Sequence, residues 1–402
     1  MDRQWVDISK MLFFQEGPGV RNTQYTTEGV KLINVANLVD GKVDLSTSDR
    51  YISEEEAYGR YKHFLCDPGD FIIASSGIKV EYFDKKMGFV DSSMLPLCMN
   101  TSTIRFKVLD ENSLNIRYFM YYLKSQHFKE QLLRQITGSA QLNFGPSHIK
   151  QMEMPIISIS KQDAVVERLD YVQAVIDLRK TELQKLDDLI KARFVEMFGD
   201  PIINSEKLPT MPMTEVCDII DGDRGKNYPT IEDFSDDGYC LFLNAKNVTT
   251  SGFNFENCMF VSKEKDEVLR KGRLSRGDVV LTTRGTLGNL AFYTNEVPFE
   301  NVRINSGMVI LRMKQDVVEE VYFIEQFKLQ IDDIKEKIAS GSAQPQLPIS
   351  TMNKIQVLVP GIDRQREFTD FTKQVDKSKV AIRQALDEAQ LLFDSLMQEY
   401  FG

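Results

Sequence analysis

Two glycine-punctuated polar loops, at residues 15–25 and 221–229, contain the side chains whose types best suit recognition of another molecule. Arginine can donate two hydrogen bonds to the edge of guanine, and asparagine or glutamine can make a similar pair of hydrogen bonds with adenine. Lysine binds phosphate, and tyrosine can stack on a base. Both loops are therefore predicted to contact nucleic acid, and the alternative is that they are ordinary turns over a sheet. The loop candidates are Arg21, Asn22, Gln24, Tyr25, Arg224, Lys226, Asn227 and Tyr228.

Further candidates follow two apolar stretches, residues 71–74 and 279–281, that are typical of buried strands. Ser76 and Lys79 come after the first stretch. Thr283 and Arg284 come after the second. Because a strand holds the backbone rigidly, the guanidinium of Arg284 could be positioned to hydrogen-bond a base edge. The alternative is that Arg284 is a structural ion-pair partner.

The tetrapeptide Gly-Ser-Ala-Gln occurs at residues 138–141 and again at residues 341–344. Its glycines suit a helix C-terminal stop in the left-handed conformation. We expect the polar side chains just past each stop to be exposed and near the nucleic acid; they are Ser139, Gln141, Ser342 and Gln344.

The tetrapeptide belongs to a longer internal repeat. Residues 137–199 align without a gap with residues 340–402, and both copies end in Phe-Gly. The two copies are offset by 203 residues, a period too long for a solenoid, which indicates a duplicated domain. The preceding halves follow the same order of predicted strands and turns, so that Asn247 falls on Asn37.

The second half of each copy has the alternating steps of three and four residues typical of coiled coils. We expect helices over about residues 162–197 and 365–400 that pack antiparallel, with the two recognition domains at opposite ends of the pair. The predicted first seam contains Val165, Leu169, Val172, Ile176, Leu183, Leu186, Ile190 and Met197, with Arg179 and Arg193 filling two places. The predicted second seam contains Phe368, Val375, Ile382, Leu386, Ala389, Phe393, Leu396 and Tyr400, interrupted by Thr372 and Lys379.

The fold class predicted from these patterns is mixed α/β, with one domain plan used twice. The expected divisions are a domain at residues 1–155, a long helix at 156–200, a second domain at 201–360 and a second long helix at 361–402. Within the domains we expect a helix over residues 114–136 and a strand over residues 305–313.

Composition narrows the function classes. Five scattered cysteines without a CxxC pair fit reduced thiols and a cytoplasmic protein, and three histidines leave little for a metal site. No apolar run of membrane-spanning length occurs, and no nucleotide-binding or catalytic motif is recognisable. We therefore expect no membrane partner, no metal and no catalytic residue. The net charge of −10 implies that local basic loops or a partner supply much of the phosphate contact.

With its two α/β halves, each followed by Gly-Ser-Ala-Gln and a long helix ending in Phe-Gly, the chain resembles the specificity subunit of a type I restriction–modification system. Lys161-Gln162 and Arg364-Gln365, shortly after Pro155 and Pro360, also look like that family. The family often has Pro-Leu-x-Glu-Gln before the helix, which this chain does not keep.

This resemblance implies a non-catalytic subunit that binds double-stranded DNA through two target-recognition domains, with the helices as a spacer. It also implies two modification methylase subunits as partners, which would carry AdoMet while this chain binds no cofactor, and motor/nuclease restriction subunits joining for restriction. Because the loops of the two halves differ, the expected target is bipartite and asymmetric with a fixed gap. The alternatives are a coiled-coil scaffold whose domains bind peptides or surface ligands, and a solitary DNA-binding protein.

Overall fold

The computed structural model describes residues 3–135, 142–339 and 346–402. The chain forms two compact units. The first unit comprises Met1–Arg179 and Ala385–Gly402, and the second comprises Lys180–Gln384. Each of the two long helices is therefore divided between the units.

The first unit contains a four-stranded antiparallel sheet in the order Leu12–Glu16, Thr103–Val108, Phe71–Ala74, Met87–Phe89. A three-stranded sheet places Val30–Ile33 between parallel Leu97–Met99 and antiparallel Tyr51–Ile52. Two-stranded ladders pair Gln4–Asp7 with Glu153–Ile156, Leu38–Val39 with Lys42–Val43, and Leu142–Asn143 with Ser76–Ile78. The short helices are Ile8–Met11, Glu54–Tyr58, Ile116–Lys124, Gln126–Gln135 and Pro146–Ile149.

The second unit repeats this plan. Its four-stranded antiparallel sheet has the order Cys217–Asp221, Met308–Met313, Val279–Thr282, Leu290–Phe292. Its three-stranded sheet places Cys240–Leu243 between antiparallel Phe260–Val261 and parallel Val302–Ile304. Two-stranded ladders pair Thr210–Pro212 with Gln356–Leu358 and Val248–Thr249 with Gly252–Phe253. The helices are Met213–Val216, Lys263–Val268, Glu320–Ala339 and Ile349–Met352.

The two units share strand order and strand direction in both main sheets, so the predicted mixed α/β class is confirmed and the repeat is consistent with a duplication. The asparagines matched from the sequence have the same structural role. Asn37 Oδ1 accepts from the Asn34 backbone N at 3.1 Å, and Asn247 Oδ1 accepts from the Asn244 backbone N at 3.0 Å. Both side chains are buried, so these matches reflect the frame of the domain and not a binding site.

Two element predictions were wrong in their bounds. The helix expected over residues 114–136 is two helices that meet at Ser125, because the extended backbone of Ser125 ends the first and its Oγ accepts from Phe128 N at 3.2 Å in the second. The strand expected over residues 305–313 begins only at Met308. Asn305 Oδ1 accepts from Gly307 N at 2.8 Å, which holds a turn in place of the first strand residues.

The long helices run from Ile159 to Phe198 and from Ile362 to Phe401, with no proline or glycine inside either. No helix in the described part of the chain is long and apolar enough to span a membrane. In the first unit, one hydrophobic core holds residues of both helices together with the domain. The predicted seam residues in that core are Val165, Leu169, Val172, Ile176, Ala389, Phe393 and Tyr400.

In the second unit three polar contacts fix the direction of packing. Asp187 pairs with Lys379 at 2.7 Å, Arg193 pairs with Glu367 at 3.1 Å, and the Met197 carbonyl accepts from Arg364. Rising numbers on the first helix meet falling numbers on the second, so the predicted antiparallel packing is confirmed. Lys379 does not break the seam, because the nearby Asp187 and Asp376 carboxylates more than offset its burial and raise its pKa.

The end of the first seam differs from the prediction. Phe194 and Phe198 are fully buried, whereas the predicted Met197 is only partly buried. Ile190, Phe194 and Phe198 follow one another in steps of four, which turns the buried face toward Tyr322 of the second unit. A ring-centroid distance of 5.0 Å separates Phe198 from Tyr322.

The first unit contains the matching contact. Phe401, which aligns with Phe198, lies with its ring centroid 5.0 Å from that of Tyr118. The duplicated Phe-Gly dipeptide therefore marks a helix end whose phenylalanine fills an aromatic core. The first long helix ends in the core of the second unit, and the second long helix ends in the core of the first.

A buried glutamine attaches the start of each long helix to its domain. Gln162 Oε1 accepts from Asn115 N at 2.9 Å, and its Nε2 donates to the carbonyls of Ser113 (3.0 Å) and Ile157 (2.8 Å). Gln365 makes the same set, accepting from Glu319 N at 3.0 Å and donating to the carbonyls of Val317 (3.1 Å) and Pro360 (2.8 Å). These contacts explain why glutamine recurs at this position.

Gln365→Ala is expected to lower the free energy of unfolding by about 2 kcal/mol, because it removes three hydrogen bonds and leaves buried backbone groups unpaired. The measurement is chemical unfolding of the purified chain. The exposed Gln374 on the same helix provides the control, since Gln374→Ala should change stability by less than about 0.5 kcal/mol. Equal free energies of unfolding for Gln365→Ala and Gln374→Ala would contradict the role of Gln365 in attaching the helix to its domain.

Candidate nucleic-acid interface

In each unit the chain passes from the three-stranded sheet to the four-stranded sheet through a short connection, residues 100–102 and residues 305–307. We call these segments the connecting turns. Ser75 N donates to the Ser102 carbonyl at 2.8 Å, and Thr283 N donates to the Gly307 carbonyl at 2.8 Å. The segments that contain the predicted binding residues after the strands Phe71–Ala74 and Val279–Thr282 are therefore anchored to the connecting turns by the same bond in both units.

The polar loops begin at the connecting turns as well. Gly17 and Gly222 each follow the first strand of a four-stranded sheet. A Cβ atom at Gly17 would lie 2.0 Å from the Asn100 carbonyl oxygen, and one at Gly222 would lie 2.3 Å from that of Asn305. Only glycine fits such an approach, so these two glycines are required by the protein's own backbone.

In the first unit the structure brings Tyr25 and Ser76 together at the connecting turn. Tyr25 Oη accepts from Asn100 Nδ2 at 3.4 Å, and the Arg50 guanidinium lies over its ring at 5.4 Å. Ser76 Oγ donates to Ser102 Oγ at 2.6 Å. The turn thus presents a tyrosine, two hydroxyls and an arginine close together.

The remaining candidates of the first unit differ in their availability. Gln24 is engaged internally, because its Nε2 donates to Glu56 at 2.6 Å and to Tyr61 Oη at 3.1 Å. Its Oε1 accepts from the Arg21 backbone N at 3.0 Å, so Gln24 holds the loop in shape. The side chains without a hydrogen-bond or ion-pair partner in the described ranges are Arg21, Asn22 and Lys79, all exposed.

Four candidates of the second unit contact its connecting turn: Arg224, Tyr228, Thr283 and Arg284. Arg224 Nη2 donates to Asp221 at 3.1 Å and to the Ser306 carbonyl at 3.2 Å, and its other guanidinium nitrogens have no hydrogen-bond partner among the described residues. Tyr228 Oη accepts from Ser306 N at 3.3 Å. Thr283 is buried and donates from Oγ1 to the Gly307 carbonyl at 3.0 Å.

Arg284 combines a fixed backbone with an open side chain. Its N–H donates to the Gly307 carbonyl at 3.2 Å. Its guanidinium is exposed and forms no ion pair with any residue that the structure describes, so the structural ion-pair alternative has no support there.

The loop that contains Lys226 and Asn227 is organised by a buried carboxylate. Asp223 accepts from Gly225 N at 2.8 Å and from Arg270 N at 2.6 Å. The backbone hydrogen bond from Gly225 is the main cause that holds the pKa of Asp223 below its usual value, so the anchor stays charged. Asn227 Nδ2 donates to the Val268 carbonyl at 3.3 Å, whereas Lys226 is exposed.

Sequence reasoning missed two further basic residues. Arg270 Nη2 lies 3.0 Å from where a Cβ of Gly225 would be, beside the polar loop. Lys246 is exposed next to Ala245, whose Cβ lies 4.0 Å from where a Cβ of Gly285 would be. Lys246 could have been found in the sequence because it lies between Asn244 and the matched Asn247, at the position where the first unit has Ala36. The net negative charge of the chain thus coexists with several cations around one turn.

The repeated tetrapeptides, with Ser139, Gln141, Ser342 and Gln344, lie outside the described residues. The chain beyond each of them returns to the same anchors. Phe144 N donates to the Ser75 carbonyl at 3.0 Å, and Leu347 N donates to the Thr283 carbonyl at 3.1 Å. In both units, therefore, a residue shortly after the tetrapeptide forms a backbone hydrogen bond to the predicted interface.

No cluster of three or more potential metal ligands occurs within residues 3–135, 142–339 and 346–402. The cysteines are free thiols, and burial raises the pKa of Cys98 and Cys240 to about 12. These thiols are therefore protonated at neutral pH.

The family described as type I restriction modification DNA specificity domain matches this sequence twice, over residues 24–188 and 206–389. The chain belongs to this family. The resemblance inferred from the repeated motifs is thereby confirmed, and the two matches coincide with the duplication seen in the strand order.

One relative within the family is the type I restriction enzyme MjaVIII specificity subunit of Methanocaldococcus jannaschii, 20% identical over 190 residues. That alignment covers 46% of this chain and 43% of the relative, so it spans less than half of the relative's length.

Two solved structures are similar over nearly the whole chain. The S subunit of a type I restriction–modification system from M. genitalium has 17% identity and a TM-score of 0.56, covering 100% of this chain and 97% of the other. A chain from a study of complex assembly and conformational transition of the type I R-M system has 16% identity and a TM-score of 0.52, covering 99% and 97%. At these identities the likeness concerns the fold.

Proposed function

We propose that this chain is the DNA-reading subunit of a type I restriction–modification enzyme and is itself non-catalytic. Each specificity domain reads one half of a bipartite, asymmetric target on double-stranded DNA. The observation that carries the proposal is the pair of connecting turns, which are anchored by the same backbone bonds and surrounded by different exposed side chains. The same backbone arrangement with different polar side chains suits two domains that recognise different DNA sequences.

Matched positions in the two frames differ in chemistry. Next to the anchored Ser75 the first unit has Ser76, whereas next to Thr283 the second unit has Arg284. Arginine favours guanine, and serine has no strong base preference. The two half-sites should therefore differ in sequence.

The charges support phosphate contact around the second connecting turn. The exposed cations in the loops adjoining it are Arg224, Lys226, Lys246, Arg270 and Arg284. Such a set supplies the sequence-independent part of DNA affinity, which falls as salt rises. The remaining phosphate contact comes from the partner subunits.

The long helices suit a spacer that also binds the modification methylase. Tyr171 and Leu178 are one heptad apart and therefore on one face, and Tyr171 is 72% exposed. Further exposed apolar residues on these helices are Leu189, Val195, Val380, Leu391 and Leu392. Exposed apolar residues at helical spacing suit docking of partner helices. We assign these exposed apolar residues to the binding of two methylase subunits, which hold AdoMet, with motor/nuclease subunits joining for restriction.

The decisive experiment is single-molecule methylome sequencing of cells with and without the gene for this chain. The proposal predicts one methylated bipartite motif that disappears on deletion and returns with the wild-type gene. An unchanged methylome in cells that contain the methylase would overturn the proposal and favour a scaffold or a solitary DNA-binding protein.

Two heptads inserted into both long helices should widen the gap between the half-sites and leave both half-site sequences unchanged. The insertion adds about 21 Å of helix, which corresponds to roughly six base pairs. The readout is the methylated motif or the sequence selected from a randomised library by the assembled complex. An insertion variant with altered half-sites would contradict the separation of reading from spacing.

A further inference from the structure

Glu16 lies at the first connecting turn and was not among the predicted binding residues. It ends the strand Leu12–Glu16, opposite Ile104, and the following Gly17 N donates to the Thr103 carbonyl at 2.9 Å. Its backbone is therefore fixed on both sides. The side chain starts from a rigid position beside the residues that anchor the loops.

The Glu16 carboxylate is half-buried and has neither a hydrogen-bond donor nor a cation as partner among the described residues. Burial raises its pKa above the ordinary value. Its Oε2 lies 3.4 Å from where a Cβ of Gly145 would be, so the absence of a side chain there leaves room next to the oxygen. Two residues before Gly145, Asn143 pairs with Ser76 of the strand Ser76–Ile78.

The matching residue of the second unit is already paired. Asp221 ends the strand Cys217–Asp221 and accepts from Arg224 at 3.1 Å. In the first unit Arg21 is exposed and makes no such pair within the described part of the chain. The two units thus share an acidic strand end, but within the described ranges the carboxylate is paired in the second unit and unpaired in the first.

A half-buried carboxylate without a partner is unfavourable, and more so on a surface that meets a polyanion. A hydrogen-bond donor from the ligand would offset this cost. In the major groove the base-edge donors are the amino groups of cytosine N4 and adenine N6. Guanine O6 and N7 and thymine O4 are acceptors, which a carboxylate repels.

We propose that Glu16 reads a base in the first half-site by accepting a hydrogen bond from the exocyclic amino group of cytosine or adenine. This inference rests on the proposed function and adds a specificity-determining residue to it. One position of the first half-site therefore excludes guanine and thymine, and no position of the second half-site depends on Glu16.

The test uses the complex of the full chain with its methylase subunits and a library of duplex DNA with randomised target positions. Glu16→Gln keeps the size of the side chain and adds a donor, so discrimination against guanine and thymine at one position should fall roughly 5- to 150-fold. Cytosine at that position in the wild-type consensus identifies the N4 amino group as the donor, and adenine identifies N6. Glu111→Gln is the charge-matched control, since Glu111 is exposed beyond the opposite end of strand Thr103–Val108 and should leave the consensus unchanged.

Glu16→Asp gives a second variant if the glutamine variant fails to assemble, because it keeps the charge and withdraws it by one methylene. It should weaken the preference at the same position only. An unchanged consensus in a folded Glu16 variant, or an even loss of affinity for all sequences, would overturn the inference and leave the proposed function intact. A wild-type complex without any preferred sequence would instead overturn the proposed function, and this inference with it.

Discussion

Phe401→Ala should lower the free energy of unfolding by about 3–5 kcal/mol, the range for deleting a fully buried phenylalanine side chain. The ring lies 5.0 Å from Tyr118 and 6.1 Å from Tyr122 by centroids, so its removal leaves a cavity between the helix end and the domain. Thermal and chemical unfolding of the purified chain measure the effect. Hydrogen exchange should show the loss in the first unit, which contains Phe401 and both tyrosines.

Leu391→Ala on the same helix is the matched control, because Leu391 is 70% exposed and its truncation should change stability by less than about 0.5 kcal/mol. Phe198→Ala provides the repeat of the experiment in the second unit, where Tyr322 takes the place of Tyr118. If the Phe401→Ala variant has the same free energy of unfolding as the wild-type chain, the helix end does not complete the core of the first unit.

Arg284→Ala should relax specificity at one position of the second half-site and leave the first half-site as it was. The backbone N–H of Arg284 is bonded to the Gly307 carbonyl at 3.2 Å, while the guanidinium is exposed and can place a bidentate fork. Such a contact discriminates against a wrong base by about 1–3 kcal/mol. The measurement is methylation or binding of a randomised-site library by the assembled complex.

Lys226→Ala is the control for Arg284, because an exposed lysine on phosphate weakens all sequences alike. This variant should lower the slope of affinity against salt by about one and change no base preference. An Arg284 variant that keeps the wild-type consensus would show that Arg284 is not a base reader.

Much of the architecture could be predicted because it depends on local pattern and on self-similarity. Heptad spacing predicted the two long helices, and strict alignment of the copies predicted a duplicated mixed α/β plan. The bounds were less accurate where one side chain decides them. Ser125 divides the expected helix, and Asn305 delays the expected strand, through single side-chain hydrogen bonds.

Residue type was enough to select the candidate binding residues, but the sequence did not show which of their side chains already have hydrogen-bond partners inside the protein. Gln24 and Arg284 are equally plausible base readers in the sequence. The amide of Gln24, however, is hydrogen-bonded to Glu56 and Tyr61, whereas the guanidinium of Arg284 has no ion-pair partner in the described part of the chain. Glu56 and Tyr61 are distant in sequence from Gln24, so no local pattern reports the contact.

Spacing within the chain is enough to reveal the duplication, the heptad helices, the repeated Phe-Gly and Lys/Arg-Gln motifs and the family. The burial of Phe194 and Phe198 and the pairing of Lys379 with Asp187 in the seam became evident only in the folded chain. The same holds for Glu16, which has no partner among the described residues, whereas Asp221 is paired with Arg224. The physical reason is that burial and pairing depend on residues brought together from distant parts of the chain, and a hydrogen bond or an ion pair forms only over a few ångströms.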